Sequence, residues 1–206
     1  VWIGRNYMGN TNMMWSSAVS EETILREAFL ECAMKIKRDL GEYEPDLLIA
    51  FVSPHHSEDY RSLTELASSH FAESLLFGCS GGGVIGDGRE IEQRPGLALT
   101  AAVLPDVELV PFYIEDGLLP DGDDPPERWA DMVHVPQRSD VDFVILADPF
   151  TVNSEQLLMG LDYAFPYSSK IVGLVSGCMR SEVHTSELYS LVNLVCRMRL
   201  QKKYRH

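Results

Sequence analysis

Apolar residues recur at helical spacing through Ile24, Leu25, Ala28, Phe29, Cys32, Ala33, Ile36 and Leu40, a pattern that predicts an amphipathic helix. Ser20-Glu21-Glu22 ahead of it reads as a serine N-cap with first-turn carboxylates suited to the helix dipole, and Gly41 as the stop. The pattern then changes to the continuous apolar run Leu47-Leu48-Ile49-Ala50-Phe51-Val52 behind Asp46. A run of that length predicts a strand with helices covering both faces. A second helix is expected from Ser57-Glu58-Asp59 to about Phe71, then a short strand from Ser74 into the glycine-rich Gly78-Cys79-Ser80-Gly81-Gly82-Gly83. Gly96 to Val103 and Val107 to Tyr113, separated by Leu104-Pro105-Asp106, read as an antiparallel pair. An acidic loop from Asp116 to Pro126 precedes a short helix at Glu127 to Val133. Asp142 to Ala147, Ser154 to Phe165 and Lys170 to Val175 then read as strand, helix and strand.

Two stretches match at an offset of about 96 residues: Asp46 to Gly81 and Asp142 to Gly177. Each opens with Asp and an apolar strand, continues through a Ser-Glu helix start (Ser57-Glu58, Ser154-Glu155) and closes on Ser-Gly. Both are βαβ units, whose crossovers are right-handed, and together they read as an internal duplication. The fold class is therefore α/β, with a mixed β-sheet holding two βαβ units. A layered αββα sandwich is the alternative architecture. Residues 1–15 are expected to be a poorly ordered start, 16–178 the domain proper and 179–206 an atypical basic tail.

Charge adds to that division. The 206 residues carry a formal charge of −14. From Met179 onward six basic residues face two acidic ones, which leaves 11 basic and 29 acidic residues before it. The tail looks compositionally foreign, and a truncated or alternatively spliced product, or a gene-model error, is the expectation. An acidic body argues against nucleic acid, because each phosphate contact needs a Lys or Arg. No run approaches the roughly 18 apolar residues of a bilayer span, so no membrane role is expected. Cys32, Cys79, Cys178 and Cys196 are widely spaced, as reduced thiols are rather than a disulfide framework or a metal site. The expected compartment is the cytoplasm, or a plastid or other organelle if a targeting segment preceded residue 1.

In open α/β sheets, ligands bind beyond the carboxyl ends of the strands. The loops there are Ser53 to His56, Cys79 to Gly83, Asp148 to Asn153 and Ser176 to Cys178. The candidate ligand-binding residues are Ser53, His55, Ser57, Gly78, Cys79, Ser80, Gly81, Gly82, Asp148, Asn153 and Ser154. Helix starts near Ser57 and Ser154 would attract an anion, glycines would admit a ligand to bare backbone, and Asp148 would face an amine. An amino acid or similar small carboxylate suits that set, and no cofactor or metal is implied. Three other patterns are weaker. Gly81 to Gly86 satisfies G-x-G-x-x-G but lacks a following helix. Gly78-Cys79-Ser80-Gly81-Gly82 fits G-x-S-x-G, with Asp148 and His184 as partners, but three glycines oppose the required helix. Cys79 could act as a nucleophile with His55 or His56 as base, and a His55-His56-Asp148 metal site is weaker than solvated histidines. A serine or cysteine hydrolase using Ser80 or Cys79 is thus the alternative class, and a non-binding truncated scaffold a third.

The order of these pieces resembles the N-terminal domain of the FIST family. The resemblance lies in Trp15-Ser16-Ser17-Ala18-Val19-Ser20, Pro45 to Ser53, Leu76 to Gly83 and Pro95-Gly96-Leu97-Ala98-Leu99, and covers about Ser16 to Gly177. It implies a sensory domain of intracellular signal transduction that binds small ligands. It implies as partners a small molecule and a signalling protein or a C-terminal FIST domain, and it carries over no catalytic residues.

Overall fold

The computed structural model describes residues 13–114, 117–136, 141–150, 152–174 and, for backbone alone, 195–200. Among the described residues, ten strands and four α-helices follow one another. They are β1 (Met14–Ser20), α1 (Leu25–Leu40), β2 (Leu47–Val52), α2 (Ser62–His70), β3 (Leu75–Ser80), β4 (Gly83–Gly86), β5 (Arg89–Glu92), β6 (Leu97–Val103), β7 (Val107–Phe112), α3 (Pro126–Met132), β8 (Asp142–Ala147), α4 (Ser154–Ala164), β9 (Lys170–Leu174) and β10 (Val195–Leu200). They build two four-stranded mixed sheets, β1-β6-β2-β3 and β7-β10-β8-β9, and a separate β4-β5 hairpin. In each sheet one pair is parallel, β2 with β3 and β8 with β9, and the added strands run antiparallel.

The second sheet repeats the first element by element, in the order strand, helix, strand, helix, strand, strand. The likeness extends to the helix ends. Phe71 and Phe165 close α2 and α4 with nearly the same backbone angles. Their N–H groups donate to Ala67 O and Leu161 O, and their carbonyls accept from Ser74 and Ser168. Asp46 and Asp142 each spend a carboxylate oxygen on a backbone N–H, of Leu104 and of Ser169.

Alternating faces explain the layers. Leu48, Ala50 and Val52 of β2 pack with Leu97, Leu99 and Ala101 of β6 against Leu25, Phe29, Ile36 of α1 and Leu63, Leu66 of α2. Phe143, Ile145 and Ala147 of β8 pack against Trp129 of α3 and Leu157, Leu161 of α4. The opposite faces meet each other: Leu47, Phe77, Cys79 and Ala102 of the first sheet join Leu146, with Val107, Leu109 and Val144, of the second. The arrangement is helices, sheet, sheet, helices, an αββα sandwich. A doubly apolar run such as β2 says that both faces are covered. It does not say that one cover is another sheet.

Three expectations change. β6 and β7 do not pair, because β1 and β2 occupy both edges of β6 and β7 pairs with β10. The expected N-cap Ser20 lies in β1, where its hydroxyl donates to the Glu31 carboxylate, and α1 starts at Leu25 after an uncapped Ile24. The expected Ser57 helix start is a 3-10 turn at Pro54–Asp59, and α2 begins at Ser62. Val195–Leu200, within the segment read as an atypical basic tail, lies between β7 and β8 and joins the second sheet's edge strand to its parallel pair. Met14 and Trp15, within the expected poorly ordered start, belong to β1. Ser176, Gly177, Cys178 and His184 lie outside the described residues.

Candidate functional site

The strand-end loops of the first half form a corner held by its own hydrogen bonds. Ser53 is buried, and its hydroxyl accepts from Gly96 N at 2.9 Å. Its N–H donates to Gly96 O and its carbonyl accepts from the Tyr60 hydroxyl. Gly81 N donates to Val52 O. Ser57 and His55 are exposed on the 3-10 turn. Gly78 answers to packing: a Cβ there would overlap the carbonyl oxygen of Ala50 on the neighbouring strand. Gly82 stands in open space.

Cys79 and Ser80 point to opposite faces. Cys79 enters the layer between the sheets, and burial pushes its thiol up to about 11. At neutral pH only about one such thiol in 10,000 is ionised, too few for a reactive nucleophile. Ser80 pairs with Val52 on the helix-facing side and is buried. The element after it is β4, not the helix that an exposed nucleophile requires.

His56, beside this corner, is 3% exposed, and its Nε2 is buried without a hydrogen-bond partner. Burial, reinforced by neighbouring His55, holds its pKa below the ordinary histidine value of 6.5. As pH falls through 6.5 toward that lower value, the unfolded chain takes up the proton first, so folding stability falls. Above 6.5 this contribution is complete. We expect the melting temperature to drop between pH 7.5 and pH 5.5, and His56→Leu to reduce the drop. Equal slopes for both proteins would remove His56 as the cause.

The matching corner of the second half is more open. Asp148 Oδ1 accepts from Phe150 N and its carbonyl from Val152 N, forming the loop into α4. Asn153 caps α4, its Oδ1 accepting from Gln156 N at 3.1 Å, and Ser154 is the first helical residue, as expected. Gln156 Nε2 donates to Pro120 O at 2.9 Å and so fixes the acidic loop beside the helix start. Between that loop, α3 and α4 lies a cleft of about 290 Å³, lined by Gly122, Trp129, Asn153, Glu155, Gln156, Met159, Gly160 and Tyr163.

Two features shape the cleft. Helix α3 has 7 residues where its counterpart α1 has 16, and the cleft opens where it meets α4. Trp129 is 1% exposed and lies against Gly160, with Nε1 buried and without a partner. A buried unsatisfied donor is uncommon in native structures and marks a place for an added acceptor. A second cleft, of about 360 Å³, opens at the end of α3 beside Glu127, Asp131 and His134. It has no aromatic wall.

Among the sequence candidates, the structure places Ser53, Gly78, Cys79, Ser80, Gly81 and Gly82 around one corner, and Asp148, Asn153 and Ser154 around the other. Asn153 is the candidate that lines a described cleft. Trp129, Gln156 and Gly160 were not anticipated. Trp129 and Gly160 are 31 positions apart, and no local pattern links them.

No helix among the described residues is long and apolar enough to cross a membrane. A family model, the FIST N domain, matches residues 46–189. The chain matches no curated protein. The matched span runs from the start of β2 past β9 and takes in both parallel pairs, α2, α4 and the α3–α4 cleft. It starts later than the likeness read from the sequence and extends beyond Gly177. With well over half of its length inside that match, this chain belongs to the FIST family, whose domains are sensory modules of signal transduction.

Proposed function

We propose that this domain binds a small organic molecule, an amino acid or similar small carboxylate, in the cleft between α3 and α4, and passes its occupancy to a signalling partner. The observation that carries the reading is Trp129, a fully buried ring with an unsatisfied N–H, among the residues that line the α3–α4 cleft. Asn153 and Gln156 add polar groups at the start of α4, where backbone N–H groups favour a carboxylate. A concave site with an aromatic wall and a few fixed polar groups is the usual form of a small-molecule pocket. The first-half residues Ser53, His55, Ser57, Gly78, Cys79, Ser80, Gly81 and Gly82 have a smaller part, since Ser53 is engaged internally and Gly78 serves packing.

The test is a thermal-shift screen against amino acids and small carboxylates. A ligand that binds only the native state stabilises it by RT ln(1 + [L]/Kd), about 2.7 kcal/mol at a hundredfold excess over Kd. We expect a saturable rise with one ligand class. A cooperative melt that no compound moves would count against binding. It would favour a second reading, in which the domain is a scaffold for a protein partner. The observation behind that alternative is apolar exposure beside the edge strand β9, at Phe150, Tyr167, Ile171 and Leu174.

A further inference from the structure

The α3–α4 cleft has a charge character that narrows its ligand, a step that rests on the small-ligand reading above. Glu155 lines the cleft. Asp121 and Asp123 flank the lining residue Gly122 on a loop that Gln156 holds against α4 through Pro120. The nearby cation Arg128 is engaged with Asp124, at 3.0 Å, and Lys170 with Asp162, at 2.8 Å. The carboxylates of Glu155, Asp121 and Asp123 have no ion-pair partner among the described residues. Among the described residues, no ion pair offsets their negative charge beside the cleft. The walls are aromatic or polarizable: Trp129, Tyr163 and Met159, groups that favour a cation against their faces. The unsatisfied Trp129 Nε1 asks in addition for a hydrogen-bond acceptor.

We propose that the cleft is a binding site for an organic cation with an ammonium or guanidinium at one end of an alkyl stem and a carbonyl or carboxylate oxygen at the other. Glu155 takes the cationic head, the aromatic wall its stem, and Trp129 its acceptor. A free basic amino acid or amine and a lysine or arginine side chain of a protein share this chemistry.

Calorimetric titration of the full chain with L-arginine, agmatine, N-acetyl-L-arginine amide, L-norleucine and glutarate tests it. The expected result is saturable binding of L-arginine, weaker binding of agmatine, which carries no oxygen for Trp129, and weak or no binding of norleucine and glutarate, which carry no cation at the far end of the stem. Glu155→Gln removes the charge at an exposed position and should weaken guanidinium binding about tenfold or more, the range of a charge-assisted hydrogen bond. Glu127→Gln, at the other cleft, should leave it unchanged. Binding of arginine and agmatine without the capped amide points to a free metabolite, and binding of the capped amide points to a protein side chain. Norleucine or glutarate bound as tightly as arginine, with Glu155→Gln neutral, would overturn the cationic assignment and leave the small-ligand reading standing. Binding of no probe, and of no compound in the thermal-shift screen, would overturn both.

Discussion

Replacing Gly78 with alanine is expected to destabilise the fold by at least about 3 kcal/mol, at the top of the range for overpacked sites. The added Cβ would overlap the Ala50 carbonyl oxygen and lie 2.8 Å from Ala50 C and 2.9 Å from its N. All three are backbone atoms of the parallel strand β2, so no side chain can swing aside. Relief requires β3 to move away from β2, which breaks the ladder from Leu47–Leu75 to Val52–Ser80. Gly82, four residues on in the same run, has nothing within 4 Å of an added methyl group. Gly82→Ala should stay within about 0.5 kcal/mol of the parent, as surface substitutions usually do. Urea denaturation of the two variants separates them. Equal stabilities would mean that Gly78 is not held by the contact described here.

Removing the Trp129 ring is expected to cost about 3–5 kcal/mol, the usual penalty for truncating a large buried aromatic. In a chain of this size, that lowers the melting temperature by roughly 10 °C. Trp129 is the largest fully buried side chain, and its cluster joins α3, α4 and β8. Trp129→Ala would leave a void beside Gly160. Trp129→Phe keeps most of the ring and deletes the unsatisfied N–H, so it should cost less than about 1.5 kcal/mol. The phenylalanine variant should also bind ligand more weakly, because it offers no donor to the ligand's acceptor. A phenylalanine variant as unstable as the alanine variant would contradict this account of the ring.

The helices and most strands were legible in the sequence, because periodicity follows burial and burial is local to each face. α1 shows this best, with Leu25, Ala28, Phe29, Cys32, Ala33, Ile36 and Leu40 all buried. β1 was hidden by polar residues facing the core: Ser16 and Ser20 are buried, and their hydroxyls donate to Asp39 and Glu31 on α1. The β4-β5 hairpin did carry a signal. Asp87 and Gly88 at its tip both have positive φ, 50° and 71°, the conformation that favours Asp-Gly in two-residue hairpin turns. Val84 and Ile91 then pack on Val19 and Ala98.

Partnership between elements was less legible. Nothing in the Leu104-Pro105-Asp106 turn distinguishes a hairpin from a crossing between two sheets. That depends on which strands already flank β6. The offset of 96 residues did foreshadow the repeated halves, although it showed only the βαβ part of each. Of the candidate residues read from the sequence, Asn153 lines the cleft, where a polar helix start follows a strand. The cleft itself brings together α3, α4 and the acidic loop, with Trp129 fitted against Gly160, and that is settled by tertiary packing.

Occupation of the α3–α4 cleft by a small molecule can be observed residue by residue. The measurement is a proton–nitrogen NMR titration of the labelled chain with whichever compound raises its melting temperature, following the Trp129 indole N–H and the amides of residues 153 to 163. Saturable shifts are predicted there, with the indole signal moving as its donor gains a partner. Unmoved signals in α4 and the indole, with shifts at residues 53–57 and 78–82 instead, would place the ligand at the other corner and contradict the assignment.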